Sequence, residues 1–213
     1  MKHLHGLDIP VTLEDVCDPR RMALLVFDMQ AGICSQIAAG DWIVARTLEA
    51  VSAARVAGMR IVFSRYMSLP KTWMGAAQFR TAMTWQKKDD PDAISPWFLR
   101  GTPGFEMVPE LTPEPEDAVF DRITMSAFEG TPLAIALRDC GLFAVAVAGI
   151  AMEVGIEPTA RHAADLGFVP VILADACGAG HEAAAQRSLE SLRFSGDAII
   201  TDVVTFADLL RRS

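Results

Sequence analysis

The chain has 213 residues, about half of them hydrophobic, and its excess of Asp and Glu leaves a formal charge of −8. That length fits a single domain, residues 1–213, whose core covers both faces of a sheet. The acidic balance argues against nucleic-acid partners, whose phosphates call for a basic footprint, no apolar run reaches the ~18–20 residues of a bilayer span, and the polar start at 1–10 lacks a signal peptide's apolar stretch, so a cytoplasmic location is expected. In chain order, short apolar runs fall at 23–27, 60–64, 118–122, 143–147 and 169–174, with a weaker one at 198–200. Each run is apolar on both faces, as buried parallel strands are, and helical stretches separate them. Between the first two runs, Trp42, Ala45, Leu48 and Val56 keep near-helical spacing until Gly58 stops the helix. Thr131 and Pro132 open the next helix as N-cap and first-turn proline, and Gly141 closes it. Further helices are expected at about 158–166, 181–194 and 205–211. The rhythm is that of an α/β domain with a mostly parallel sheet.

One stretch interrupts it. Residues 66–117 hold Trp73, Trp85 and Trp97 and most of the prolines. An aromatic-rich insertion of that length is a lid, a binding loop, a subunit contact, or a satellite cluster packed on the sheet edge. The four cysteines, Cys17, Cys34, Cys140 and Cys177, form no CxxC, and no histidine stands at zinc-ligand spacing from them. They read as small buried hydrophobes, and neither a metal nor a cofactor is expected.

Ligands of open α/β sheets bind beyond the carboxyl ends of the strands. That rule gathers three positions: Asp28 after the first run, Arg122 at the end of the third, and the glycine-bearing turn 149–155 after the fourth. An aspartate emerging from a desolvated core has a pKa open to upward adjustment unless a cation holds it down; alternatively it only caps the next turn. The turn directs backbone N–H groups at one spot, which suits developing negative charge.

Here the residues resemble a known family. Leu24-Leu25-Val26-Phe27-Asp28-Met29-Gln30 is similar to the opening motif of the isochorismatase-like hydrolases, the cysteine hydrolase superfamily. Ser126-Ala127-Phe128 with Thr131 and Leu133 resembles the segment after that family's third strand. Gly149-Ile150-Ala151-Met152-Glu153-Val154 with Thr159, Ala160 and Ala163 resembles its active-site turn and helix, and Asp175-Ala176-Cys177 the pair ending its next strand. The matches run in order from residue 24 to 177. They imply a three-layer α/β/α, Rossmann-like fold with about six strands, and a homodimer or homotetramer.

Most of that family uses an aspartate, a lysine and a nucleophilic cysteine. By resemblance Asp28 matches the aspartate, Arg122 stands in the lysine's place and Gly155 in the cysteine's. Glycine carries no nucleophile, so thioester chemistry is excluded at position 155. The isochorismatase branch also resembles this chain in having glycine there, and it protonates a vinyl ether with its aspartate. Arg122 remains charged and clamps carboxylates in two-point fashion, though it is a poor proton relay; the bland alternative is a structural salt bridge.

The resemblance further implies substrate contacts from Gln30, Ile33, Ala151, Met152 and Glu153, oxyanion donors near Ala151 and Gly155, and a cis peptide near Ile150-Ala151. Glu153 is either a second carboxylate at the substrate or a cap for its helix. His162 reads as a packed or helix-surface residue. The function expected is hydrolysis of a small carboxylate-bearing metabolite, at a vinyl ether or C–N bond, without a cysteine nucleophile. The alternatives are an inactive small-acid-binding protein on the same scaffold, and a cysteine amidase using Cys34.

Overall fold

The computed structural model describes residues 1–212. Its frame is a six-stranded parallel sheet built from β3 (Met22–Phe27), β4 (Arg60–Tyr66), β5 (Ala118–Arg122), β6 (Ala144–Ile150), β7 (Val169–Gly178) and β8 (Ile199–Thr201), in the spatial order β5-β4-β3-β6-β7-β8. A small antiparallel hairpin, β1 (Lys2–Leu4) and β2 (Leu7–Ile9), precedes it. The order reverses direction between β3 and β6, the place where an open α/β sheet leaves a crevice at its strand tips.

The helices are α1 (Leu13–Val16), α2 (Ala31–Cys34), α3 (Gly40–Val56), α4 (Ala76–Gln86), α5 (Leu133–Asp139), α6 (Glu157–Asp165), α7 (Glu182–Ser195) and α8 (Val203–Leu210). Of these, α3 and α8 cover one face of the sheet and α5, α6 and α7 the other. Successive β3 side chains point to opposite faces. Met22, Leu24 and Val26 meet Ala50 of α3 and Phe206 of α8 on one side. Ala23, Leu25 and Phe27 meet Leu137, Ala160 and Leu192 of α5, α6 and α7 on the other. All six β3 residues are buried, which is why the run is apolar throughout. No helix among the described residues is long and apolar enough to cross a membrane.

Several boundaries differ from expectation for local reasons. Helix α5 starts at Leu133, with Pro132 as its cap, while Thr131 Oγ1 accepts the Leu133 N–H at 3.3 Å. Helix α8 starts at Val203 because Asp202 caps it, accepting the Thr205 N–H at 2.8 Å. A π-turn, Met152–Ile156, precedes α6. The cysteines are not uniformly buried: Cys17 and Cys34 are, Cys177 is half-buried, and Cys140, capping the end of α5, is exposed.

The 66–117 stretch has structure of its own, α4 plus short 3-10 turns at Lys71–Trp73, Pro91–Ala93 and Pro109–Leu111. Main-chain bonds sew it to the segment after β3: Ala31 N donates to Glu106 O at 2.8 Å, and Val108 N to Met29 O at 3.0 Å. Its aromatic residues interlock edge to face, Tyr66 with Trp85 at 6.2 Å and with Phe98 at 5.9 Å between ring centroids.

Candidate active site

The register of the sheet brings the expected groups to one level. Phe27 lies beside Ser64 of β4 and beside Gly149 of β6, and Tyr66 lies beside Arg122 of β5. Asp28, the next residue after β3, takes a left-handed backbone with φ +52°. That conformation is unfavourable for most side chains and tolerable for aspartate, and it turns the chain off the sheet at the crevice.

Asp28 and Arg122 form a buried pair. Arg122 Nη2 donates to Asp28 Oδ2 at 2.7 Å, with the side chains only 7% and 1% exposed. Ser64 Oγ donates to the other oxygen, Oδ1, at 3.2 Å. Burial pushes the Asp28 carboxyl above its ordinary value, and the Arg122 cation and Ser64 hydroxyl oppose this without cancelling it. The guanidinium lies over the Phe27 ring at 4.3 Å from its centroid. Its Nε and Nη1 are buried and lack a hydrogen-bond partner among the described residues. Buried donors of that kind call for an acceptor brought from outside.

Both residues line a hollow of about 410 Å³. Tyr66, Trp85, Trp97 and Phe98 of the insertion form one wall. Ile33, Ala151, Glu153 and Gly155 also face it, as does His181, which the sequence did not single out. The insertion is therefore both an interlocked aromatic cluster and part of the site's enclosure.

The turn after β6 departs from the expected cradle at Gly155. The Ile150–Ala151 peptide is cis. In the π-turn the N–H groups of Val154, Gly155 and Ile156 all converge on Ala151 O, at 3.3, 3.0 and 3.1 Å. The Gly155 amide is thus already engaged and does not stand free as an oxyanion donor. Thr159 fastens the turn to the loop after β5, accepting from Ala127 N at 3.0 Å and donating to Gly155 O at 2.7 Å.

Gly155 itself has no room for a side chain. A Cβ there would sit 2.5 Å from both Cε1 and Cζ of Phe27. The phenyl ring that carries Arg122 also fills the space a nucleophile would need. The same residue makes glycine necessary at 149, where φ is +138° and a Cβ would run into the Phe27 backbone.

Two expected contacts are corrected. Gln30 is fully buried and does not face the hollow; its amide donates to Tyr66 O at 3.0 Å and Phe105 O at 2.8 Å and accepts from Tyr66 N at 2.7 Å. It anchors the aromatic insertion, because a buried amide must satisfy its own donors and acceptor. Met152 is fully buried as well and packs with Ile156 and Phe27 in the core beneath the turn. Glu153 does not cap its own helix: Oε1 accepts the N–H of His181, the N-cap of α7, at 2.6 Å. His162 packs against Phe128 at 5.7 Å and its Nδ1 lies 2.9 Å from Ser126 Oγ, away from the hollow. Asp175 serves structure, accepting from Arg46 Nε at 3.0 Å and Val203 N at 2.9 Å.

Sequence reasoning missed Phe27, Ser64 and His181. A large ring directly before Asp28, paired with glycine at 155, was the available signal for the first. Ser64 was visible as the hydroxyl ending an apolar run, but its partner lies on another strand.

A family model described as isochorismatase domain matches residues 22–205. The chain belongs to the isochorismatase family. Its members are hydrolases, and solved structures of the fold bear out the architecture. A cysteine hydrolase from Pseudomonas syringae pv. phaseolicola superposes with a TM-score of 0.78 at 22% identity, covering 91% of this chain and 94% of that one. An isochorismatase family protein from Burkholderia thailandensis gives 0.74 at 25% identity, covering 90% and 96%. The pyrazinamidase of Pyrococcus horikoshii, described in complex with zinc, gives 0.72 at 24% identity, covering 85% and 99%. In this isochorismatase-family chain no group of three or more His, Cys, Asp or Glu side chains able to hold a metal occurs among the described residues. The donor set does not fit a zinc site.

Proposed function

We propose that this isochorismatase-family chain hydrolyses a small carboxylate-bearing metabolite, at a vinyl ether or C–N bond, without a cysteine nucleophile. The observation that carries the reading is the Phe27 ring occupying the space beside Gly155. A thiol has no place there, while the acid and the cation beside it are kept buried and paired.

In this reading Arg122 has two tasks. Nη2 holds Asp28, and one of the unpartnered nitrogens, Nε or Nη1, which lie on different edges of the guanidinium, donates to the substrate's carboxylate. Asp28, with its pKa raised by burial, holds a proton to higher pH than an exposed aspartate. On a vinyl ether it delivers that proton to carbon, water adds to the resulting cation, and the hemiketal divides into a carbonyl compound and an alcohol as the proton returns to Asp28. On a C–N bond the ionised form takes a proton from attacking water and passes it to the leaving nitrogen. Negative charge developing on a substrate oxygen is left to the backbone N–H near Ala151 and to the Arg122 charge, since the Gly155 amide is engaged.

The alternative of an amidase using Cys34 finds little support. Burial pushes the Cys34 thiol up to about 11, so it is not a thiolate near neutral pH. It does not face the hollow. A screen of small carboxylates is the test: Asp28→Asn abolishes turnover of whatever acid reacts, and thiol alkylation leaves it intact. Loss of activity in step with modification of one cysteine contradicts the mechanism, and a chain that binds acids but consumes none reduces it to a binding protein.

A further inference from the structure

The hollow has a second charged pole, opposite in sign to Arg122. Glu153 lines it, and its two oxygens are treated differently. Oε1 accepts the His181 N–H at 2.6 Å, at the N-terminus of the fourteen-residue helix α7, where backbone donors favour negative charge. Oε2 is buried and lacks a hydrogen-bond partner among the described residues. The Nδ1 of His181 is turned to its own helix, where it accepts the Ala184 N–H at 3.3 Å.

Charge balance then selects the ligand. The charged side chains lining the hollow are Asp28, Arg122 and Glu153, two carboxyls against one guanidinium. A plain carboxylate satisfies a free donor of Arg122 but adds a negative charge near Glu153 and leaves Oε2 unsatisfied. A ligand that also carries a protonated amine removes both defects. Its body meets the aromatic wall of Tyr66, Trp85, Trp97 and Phe98, which rewards an apolar spacer between the two charged ends.

We propose that the site takes an amino-carboxylate, with the carboxylate on Arg122 and the ammonium group on Glu153 Oε2. This deepens the function proposed above and rests on its reading of Arg122 as the substrate's anion clamp.

Three probe types separate the two ideas: benzoate, benzylamine, and 3- and 4-(aminomethyl)benzoate, titrated by calorimetry with Trp85 and Trp97 as fluorescent reporters. The better aminomethylbenzoate isomer is expected to bind about tenfold or more tighter than benzoate, the scale of one added charge-assisted hydrogen bond. Glu153→Gln keeps an acceptor for the His181 N–H and should erase that gap while leaving benzoate binding intact or stronger. Glu153→Asp, which retains the charge on a shorter arm, should keep part of the preference. Equal binding of benzoate and both amino acids to the native chain overturns the second pole and leaves the Arg122 clamp standing, as does a gap that survives Glu153→Gln. Absence of benzoate and aminomethylbenzoate binding alike overturns the clamp itself, and the second pole with it.

Discussion

Two hollows of this molecule invite comparison. The larger, about 1410 Å³, is a groove on the outer side of α3 and α8, lined by residues such as Leu48, Val56, Val204 and Arg211. The smaller, about 410 Å³, lies at the strand tips. Size favours the groove and chemistry favours the tips. In the groove the side chains are mostly those of exposed helix faces, with Val56 86% exposed, and charge there is solvated. At the tips a carboxyl, a guanidinium and a second carboxylate are withdrawn from water, and several of their polar atoms lack partners among the described residues. Groups held in that costly state mark a functional site better than volume does.

The largest effect that would break this contrast is at Arg122. Arg122→Met leaves Asp28 buried beside no cation, and should cost about 3 kcal/mol of stability at neutral pH in urea unfolding, with loss of carboxylate binding. Were the pair as inconsequential as a surface bridge, the loss would stay under about 1 kcal/mol.

Next is the space at position 155. Gly155→Cys forces a side chain against the Phe27 ring, and overpacking of this kind costs about 1–3 kcal/mol. Phe27→Ala in the same chain makes room, so the double variant should be less destabilised than the two single costs added together. Strict additivity in thermal melts would show that the ring does not guard that space.

A smaller effect lies in the pH dependence of stability. Because burial raises the Asp28 pKa on folding, the native state holds this proton more firmly than the unfolded chain does. The associated stability is fully present below the unfolded value of about 3.9 and is lost as pH climbs through the raised native one. Urea midpoints stepped upward from acid should therefore fall more steeply for the native chain than for Asp28→Asn. Parallel curves would refute the shift.

The groove supplies the control. Val204→Ser, on its rim, should change stability by no more than about 0.5 kcal/mol and leave ligand binding at the strand tips untouched.

What could be read from the sequence follows from what each feature depends on. The runs at 23–27 and 143–147 lie in the doubly covered centre of the sheet, where burial makes a strand apolar throughout, so they were legible. The opening hairpin was not, since Lys2–Leu4 and Leu7–Ile9 are exposed strands of three residues each, too short for an apolar pattern to stand out. Asp28 and Arg122 were legible as charged residues at the ends of such runs. Gln30 was misread because it neighbours Asp28, whereas its partners, Tyr66 and Phe105, lie far along the chain. Gly155 was read as a lost nucleophile; that Phe27 fills the vacancy is a contact between residues 128 positions apart, which no local pattern encodes.

The direct test of the central claim is the pH–rate profile of the native chain on a turned-over carboxylate. If protonated Asp28 delivers the proton, activity declines as pH rises through a value above the ordinary aspartate range, and Asp28→Asn removes it at every pH. A profile that instead climbs toward the thiol range near about 8.5 and disappears on alkylation would place the chemistry on a cysteine and contradict the account.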